Sequence, residues 1–429
     1  MREILHGAST AFLLKGVGAL LMLAVYVLLG RLLGPTEAGL YFLALTILTI
    51  AAILGRIGLD NTVLRFVAGY AATGDWATVK GVHRKATALT TLASVTATLI
   101  LVAAAPWLSV TFFKKPELTP LLRWMALAIA PTALFTLHAQ ALQGLRRIAD
   151  ANLVGTVALP VFLLAGLPVL ASRWGTTGAT MAYVLAALLT MILGIWRWRR
   201  ATPQLRGIQG HSDTAALLES SVPLFWVSCF QLVITWAPTV TLGVMATSAD
   251  VGIFGAANRA ALLTSFVLLA VNSISAPKFA ALHRTGDMVT LGRIARQSAK
   301  LMAVMASPIL AIFTLFPARV MEMFGPEFAV GAPVLSILAV GQFINVVTGS
   351  VGWLLIMCGH ERLMRNNIAL CAGVGLVLNL LLIPPLGVIG AAIAAATTLA
   401  LQMITAAIMV WQKLGVVTIP LWYGKSESA

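Results

Sequence analysis

Lys15, Arg56, Arg65, Arg259 and Lys278 stand inside long apolar stretches or at their ends. A cation in such a stretch costs several kcal/mol if the stretch crosses a membrane, unless water, a counter-charge or an anionic ligand meets it. Counted at 1.5 Å per residue, Lys15 lies roughly 10 Å inside its helix, and Arg259 lies at a similar depth from the other side. Neither has a carboxylate near it in sequence. Arg56 and Asp60 are four residues apart and can pair on one helix face. Arg56 is therefore open to two readings, a structural ion pair or a ligand contact. Arg65 and Lys278 fall near helix ends, where snorkelling to the interface competes with a role at a ligand entrance. Asp60 is the one acidic residue expected within a span. The interior field is positive and suits an anion, with phosphate or pyrophosphate the leading candidate.

Neutral polar residues recur at helical spacing in several apolar stretches. Thr46 and Thr49 share a face with Arg56 and Asp60; Thr132 and Thr136 lead to Gln140 and Gln143; Ser228 and Thr235 flank Gln231. Asn258, Ser265 and Asn272 are seven apart, and Gln342 and Asn345 share a further face. Hydroxyls of this kind hydrogen-bond in any helix bundle. Gln and Asn are costlier to bury unpaired. Their concentration predicts a hydrated cavity in which Asp60, Gln140, Gln143, Gln231, Asn258, Asn272, Gln342 and Asn345 meet hydroxyl-rich ligands.

No catalytic constellation accompanies these groups. Cys358-Gly359-His360-Glu361 lacks the second histidine of a zinc helix, and Gly373 and Gly375 do not continue to a third glycine. There is no P-loop. His138 is alone on an apolar helix. Cys229, Cys358 and Cys371 sit in apolar runs without a CxxC and read as small hydrophobes. The chain is expected to hold no metal and no cofactor, and to be no enzyme.

The elements that position these residues follow from composition. Of 429 residues, 59% are hydrophobic and 10% charged, against about a quarter charged in soluble domains. Such a chain cannot hide its apolar surface from water, but lipid can cover it. A crossing helix needs about 20 apolar residues, and about twelve fit, near 9–31, 39–60, 86–112, 121–143, 152–172, 177–197, 221–245, 252–276, 299–317, 332–358, 367–386 and 388–411. The run from Ala11 to Leu33 is too long for a signal-peptide core and reads as the first crossing. The fold class is an all-α integral membrane protein.

The net charge of +15 carries no nucleic-acid motif and reads as a Lys/Arg bias of cytoplasmic loops. With both termini inside, the inner segments hold clusters such as Lys80, Arg84 and Lys85; Arg146 and Arg147; Arg197, Arg199, Arg200 and Arg206; and Arg293, Arg296 and Lys300. The outer side holds only Arg31, Lys114, Lys115, Arg123, Arg173 and Arg319.

The chain also repeats itself. Glu37–Tyr41 matches Asp250–Phe254 at an offset of 213. Thr73-Gly74-Asp75 matches Thr285-Gly286-Asp287, and Gly175 and Gly178 match Gly387 and Gly390, at 212. The expected organisation is two homologous six-helix lobes, 1–198 and 221–412, joined by a cytoplasmic linker, 199–220, and followed by a cytoplasmic tail, 413–429. An even number of helices per lobe gives both the same orientation, with the substrate site between them.

Three stretches carry a family resemblance: RLLGPTEAGLYFLALTIL (Arg31 to Leu48), IGLDNTVLRFVAGYAATGD (Ile57 to Asp75) and SADVGIFGAANRAALL (Ser248 to Leu263). With APKFAAL (Ala276 to Leu282), they resemble the bacterial polysaccharide and O-antigen repeat-unit flippases. These belong to the multidrug/oligosaccharidyl-lipid/polysaccharide exporter superfamily. The resemblance implies two lobes around a central cavity, as in multidrug exporters of the superfamily, and alternating access. It implies a polyprenyl (undecaprenyl-type) pyrophosphate-linked glycan as substrate and the bacterial inner membrane as location. Membrane lipids, a glycan polymerase and export machinery are the implied partners, and the protein is expected to be a monomer. Lipid II flippases of the superfamily carry fourteen helices, and its cation-coupled multidrug exporters rely on a carboxylate in the first helices. The first helix here has Lys15 and no acid.

Overall fold

The computed structural model describes residues 2–211 and 214–418. Those residues form helices, short π and 3-10 turns, and connectors, with no strand among them. Among the described residues, eight helices are long and apolar enough to cross a membrane, and the bent pair Leu118–Ala126 and Ile129–Gly144 adds a ninth. The protein is therefore a multi-pass membrane protein. Its outward faces agree: Leu92, Leu99, Leu301, Val304, Leu315, Leu370 and Leu381 are all largely exposed, which water would not tolerate in such number.

The chain divides into two compact units. The first takes in residues up to Leu232 and Thr247–Gly252. Its helices are α1 (Arg2–Arg56), α2 (Leu59–Ala72), α3 (Trp76–Trp107), α4 (Leu118–Ala126), α5 (Ile129–Gly144), α6 (Ile148–Asn152) and α7 (Ala158–Ala201), with the first part of α8 (Thr214–Met245). Residues 38–46 of α1 are buried on every side, with Tyr41, Phe42 and Leu43 inaccessible. A helix buried all round is central to its bundle rather than one wall of it. α1 breaks at Gly34 (φ 70°, ψ 175°) before Pro35. A second break at Ile57 and Gly58, both with positive φ, separates α1 from α2.

The second unit takes in Val233–Ala246 and the residues from Ile253. It contains most of α9 (Ser248–Ala261), then α10 (Phe266–Thr285), α11 (Met288–Leu315), α12 (Pro317–Glu322), α13 (Ala332–Val347), α14 (Val351–Met357) and α15 (Glu361–Leu414). Phe254, Phe279, Phe324 and Phe328 are fully buried in it.

Three helices, α1, α7 and α15, are too long for one crossing, and α1 is already broken at Gly34. At 1.5 Å per residue, the 54 residues of α15 would reach about 80 Å, against about 30 Å of hydrocarbon. α15 reverses at Gly387 (φ 54°, ψ −128°). Asn367 Nδ2 donates to the carbonyl of Gln402 at 2.9 Å, and a straight helix would hold these residues about 50 Å apart. α7 does the same at Trp174 and Gly175 (φ 54°, ψ −135°). A Cβ on Gly178 would lie 1.9 Å from the carbonyl oxygen of Leu170, and one on Gly390 would lie 2.1 Å from that of Leu382. The expected spans leave 173–176 between the crossings of α7 and only residue 387 between those of α15; the turn is made at Trp174 and Gly175 in α7 and at Gly387 in α15, with the glycine at positive φ in each.

The repeat is thus written in backbone geometry at the same offset. Gly74 and Gly286 have φ of 75° and 76°. Asp75 and Asp287 share φ −80° and ψ 75°, and each caps the following helix by accepting from the backbone N–H three residues on, Thr78 and Thr290. The Thr78 hydroxyl and backbone N–H at Asp75, and the Thr290 backbone N–H at Asp287, hold both carboxylates below the usual carboxylate range. A carboxyl whose pKa is lowered on folding stabilises the fold above its unfolded value and loses that contribution as pH falls through its folded one. Asp75→Ala and Asp287→Ala are each expected to lower the melting temperature at neutral pH. In thermal melts of the detergent-solubilised protein, the difference from wild type should shrink as pH falls below the usual carboxylate range.

The expected linker 199–220 is mostly helical at its edges: α7 runs to Ala201 and α8 begins at Thr214. Residues 212 and 213, and the expected tail beyond 418, lie outside the described residues.

Candidate functional site: cations and amides within the helices

In the first unit, Lys15 is half-buried in α1 and meets no counter-charge among the described residues. Arg56, at the end of α1, does meet one: its Nε donates to Asp60 Oδ2 at 3.0 Å across the Ile57–Gly58 break, and both side chains are about 14% exposed or less. The ion pair expected from the spacing of four is thus formed. The Asn61 backbone N–H donates to the other Asp60 oxygen at 3.1 Å. Arg65, exposed on α2, donates to the Ser220 hydroxyl at 2.6 Å and lies 5.5 Å from the Phe66 ring centre. Gln140 on α5 is half-buried, and its side-chain oxygen is enclosed without a partner. Gln143 and Gln231 are exposed.

In the second unit, Arg259 on α9 donates to the carbonyl of Gly255 at 2.9 Å. Asn258 beside it is half-buried, and Lys278 on α10 is exposed. Gln342 on α13 accepts from Ser265 at 2.5 Å and from Asn345 Nδ2 at 3.5 Å, so two predicted residues are brought together with a third. Asn272 is buried and accepts from Ser350, while its amide nitrogen is enclosed without a partner. These amides are donors and acceptors held in apolar surroundings, the chemistry that recognises hydroxyls.

The hydroxyl stripes behave differently. Thr46 donates to Phe42, Thr49 to Leu45, Thr136 to Thr132 and Ser228 to Leu224, each to the carbonyl four residues back on its own helix. A hydroxyl satisfied in this way needs neither a neighbouring helix nor water. Helical spacing alone does not distinguish that arrangement from a cavity lining.

Two polar groupings were not evident from the sequence. His138 is not alone: its Nδ1 lies 3.1 Å from Nε2 of His83 on α3, and His83 stacks on Trp198 at 4.0 Å between ring centres. Asn367 and Thr405 share a 2.6 Å hydrogen bond inside the folded-back α15. Both groupings join residues far apart in the chain, which periodicity cannot reveal.

Residues 4–283 match the family described as polysaccharide biosynthesis protein. Two probable flippases of Haloferax volcanii are similar over part of the chain. The probable flippase AglR is 27% identical over 184 residues, covering 40% of this chain and 37% of its own. The probable low-salt glycan biosynthesis flippase Agl15 is 24% identical over 171 residues, covering 40% and 36%. The aligned stretch thus spans a little over a third of each relative.

Among solved structures, an inward-facing multidrug resistance MATE family transporter of the MOP superfamily superposes with a TM-score of 0.76 at 15% identity, covering 94% of this chain and 98% of that one. The lipid II flippase MurJ, in an inward closed conformation, gives 0.74 at 12% identity over 92% and 85%. A MOP superfamily transporter from Pyrococcus furiosus gives 0.67 at 13% identity over 95% of each chain. With the family match covering well over half its length, the chain belongs to the polysaccharide biosynthesis protein family, and its fold is the one seen in these transporters.

Proposed function

We propose that this protein is a flippase that moves lipid-linked oligosaccharides, of the undecaprenyl-pyrophosphate type, across a bacterial inner membrane by alternating access. The observation that carries this reading is Lys15: a half-buried cation in an apolar helix, with no counter-charge among the described residues. Such a group is retained where water or an anionic ligand offsets its desolvation. The names of the Haloferax relatives, both flippases, support the same reading.

Counting α1, α7 and α15 as two crossings each, on either side of Gly34, Gly175 and Gly387, brings the nine apolar units to the expected twelve. The proposed arrangement is two six-helix lobes, 1–198 and 221–412, with the 199–220 linker and the 413–429 tail cytoplasmic, as the Lys/Arg bias favours. Lys15 and Arg259 would hold the pyrophosphate. Arg65 and Lys278 would guide its entry, and Arg56, paired with Asp60, would stiffen the α1–α2 break rather than bind ligand. Gln140, Asn258, Asn272, Gln342 and Asn345 would contact the glycan, with Gln143 and Gln231 nearer its periphery. The protein would act as a monomer and deliver to a glycan polymerase and export machinery.

The test is reconstitution. Vesicles containing the purified protein and a fluorescent polyprenyl-diphosphate disaccharide should expose inner-leaflet substrate to an added membrane-impermeant quencher. Protein-free vesicles should protect half of the signal indefinitely. Equal protection in both would refute the reading. Expulsion of an organic cation instead would favour the multidrug alternative.

A further inference from the structure

We propose a second, peripheral site that binds the phosphate of an anionic lipid headgroup, in the pocket where α3 begins and α7 ends. The pocket holds about 720 Å3 and lies wholly within the first unit. Its walls include Lys80, Arg84, Thr87, Trp198, Arg199 and Arg206. Four cations are thus drawn into one concavity from segments more than 110 residues apart in the chain.

The pocket is a built structure. Lys80 Nζ donates to the carbonyls of Leu205 and Ile208, at 3.0 and 2.8 Å, and so ties the segment after α7 down onto α3. The His211 N–H donates to the carbonyl of Ala77 at 3.1 Å. Gly81 admits this segment: a Cβ there would lie 2.2 Å from the His211 carbonyl oxygen. These contacts set Arg206 in the same pocket wall as Arg84. The floor is fixed from behind by buried Trp198, stacked on His83, which in turn reaches His138.

The charges left over are those that a phosphate would use. Lys80 is occupied by carbonyls. Arg197, next to Trp198 in the chain, is paired with Asp150 at 2.7 Å. Arg84, Arg199 and Arg206 are exposed and have no carboxylate partner among the described residues. The Thr87 hydroxyl oxygen, also in the wall, is enclosed without a hydrogen-bond partner. Guanidinium groups bind phosphate oxygens in pairs. The pocket sits at the ends of two helices long and apolar enough to cross a membrane, where such helices would meet the headgroups, and basic pockets between membrane helices select anionic lipids. The apolar side of the same pocket, including Ala88 and Leu205, suits the glycerol and upper chains of the lipid.

The shared chemistry is a phosphate ester, and two arms separate a lipid from free phosphate. In the first, the purified protein is delipidated, given equal phosphatidylglycerol and phosphatidylcholine, and read by native mass spectrometry. Wild type should retain phosphatidylglycerol preferentially. An R84Q/R199Q/R206Q variant should lose that retention by roughly ten-fold or more, while R362Q/R365Q, which removes charge elsewhere, should match wild type. In the second arm, thermal melts compare inorganic phosphate with chloride at equal ionic strength. A phosphate-specific shift in wild type, absent from the triple variant, would support the site with free phosphate as an occupant. The proposal is overturned if wild type shows neither a phosphatidylglycerol preference nor a phosphate shift, or if the triple variant behaves as wild type. Neither readout involves transport, so failure here is distinct from failure of the flippase reading.

Discussion

Gly39→Ala is expected to lower the melting temperature by at least several degrees and to cut the yield of monodisperse protein sharply. Gly39 of α1 and Gly252 of α9, equivalent in the repeat, pack directly on one another within the first unit. A Cβ on Gly39 would lie 1.8 Å from the carbonyl oxygen of Ser248 and 2.9 Å from the Gly252 nitrogen. A Cβ on Gly252 would lie 2.0 Å from the carbonyl oxygen of Pro35 and 3.1 Å from the Gly39 nitrogen. All four neighbours are backbone, so no side chain can rotate away. The two helices must separate along a segment of α1 that is buried on every side. Overpacking of a core typically costs 1–3 kcal/mol, and a clash with backbone should reach about 3 kcal/mol or more. Small residues at such crossings are what allow membrane helices to approach closely. Gly373→Ala is the control, because nothing lies within 4 Å of a Cβ there. Gly39→Ala protein that melts with the control would show that the crossing is looser than the structure places it.

Lys15→Ala should reduce glycan transport by about ten-fold or more, and Lys15→Glu should abolish it, at matched levels of membrane-inserted protein. The argument is one of charge. A single ammonium–phosphate contact in a low-dielectric site is worth more than the typical hydrogen bond, and reversal of its sign turns attraction into repulsion. Lys15→Arg keeps the charge and should retain part of the activity. Arg259→Ala is expected to act in the same direction. It should act less strongly, because Arg259 already donates to the Gly255 carbonyl. The measurement is export in cells whose own copy is replaced by each variant. If Lys15→Ala and Arg259→Ala both export normally, these charges are structural and the site lies elsewhere.

The helices were legible because a membrane demands long apolar runs, and those runs are hard to miss in a chain that is 59% hydrophobic. Their ends were less so. The second and eighth crossings were expected to stop near 60 and 276. The structure carries the chain on as α2 to Ala72 and α10 to Thr285. Polar residues such as Asn61, Arg65 and Lys278 end the apolar signal there without ending the helix. The repeat was legible because Gly74, Asp75, Gly175 and their counterparts at 212 residues' distance are fixed by backbone geometry, which tolerates few substitutes. The Arg56–Asp60 pair was legible from its spacing of four.

The polar contacts were only partly legible. Thr46, Thr49 and Thr136 read in sequence as hydroxyls bonded within a helix bundle, and each is satisfied by its own helix. His83, His138 and Trp198 come together from three helices, and the basic pocket beside them depends on a connector folding back onto Gly81. Neither grouping leaves a local pattern.

The central claim is that the protein carries a lipid-linked glycan across the membrane. It is tested most directly by extracting the lipids of cells from which the gene has been deleted and analysing them by mass spectrometry. The prediction is accumulation of a polyprenyl-diphosphate oligosaccharide, reversed by the wild-type protein and not by Lys15→Glu. A lipid profile unchanged by the deletion, in cells that are making the glycan, would contradict it.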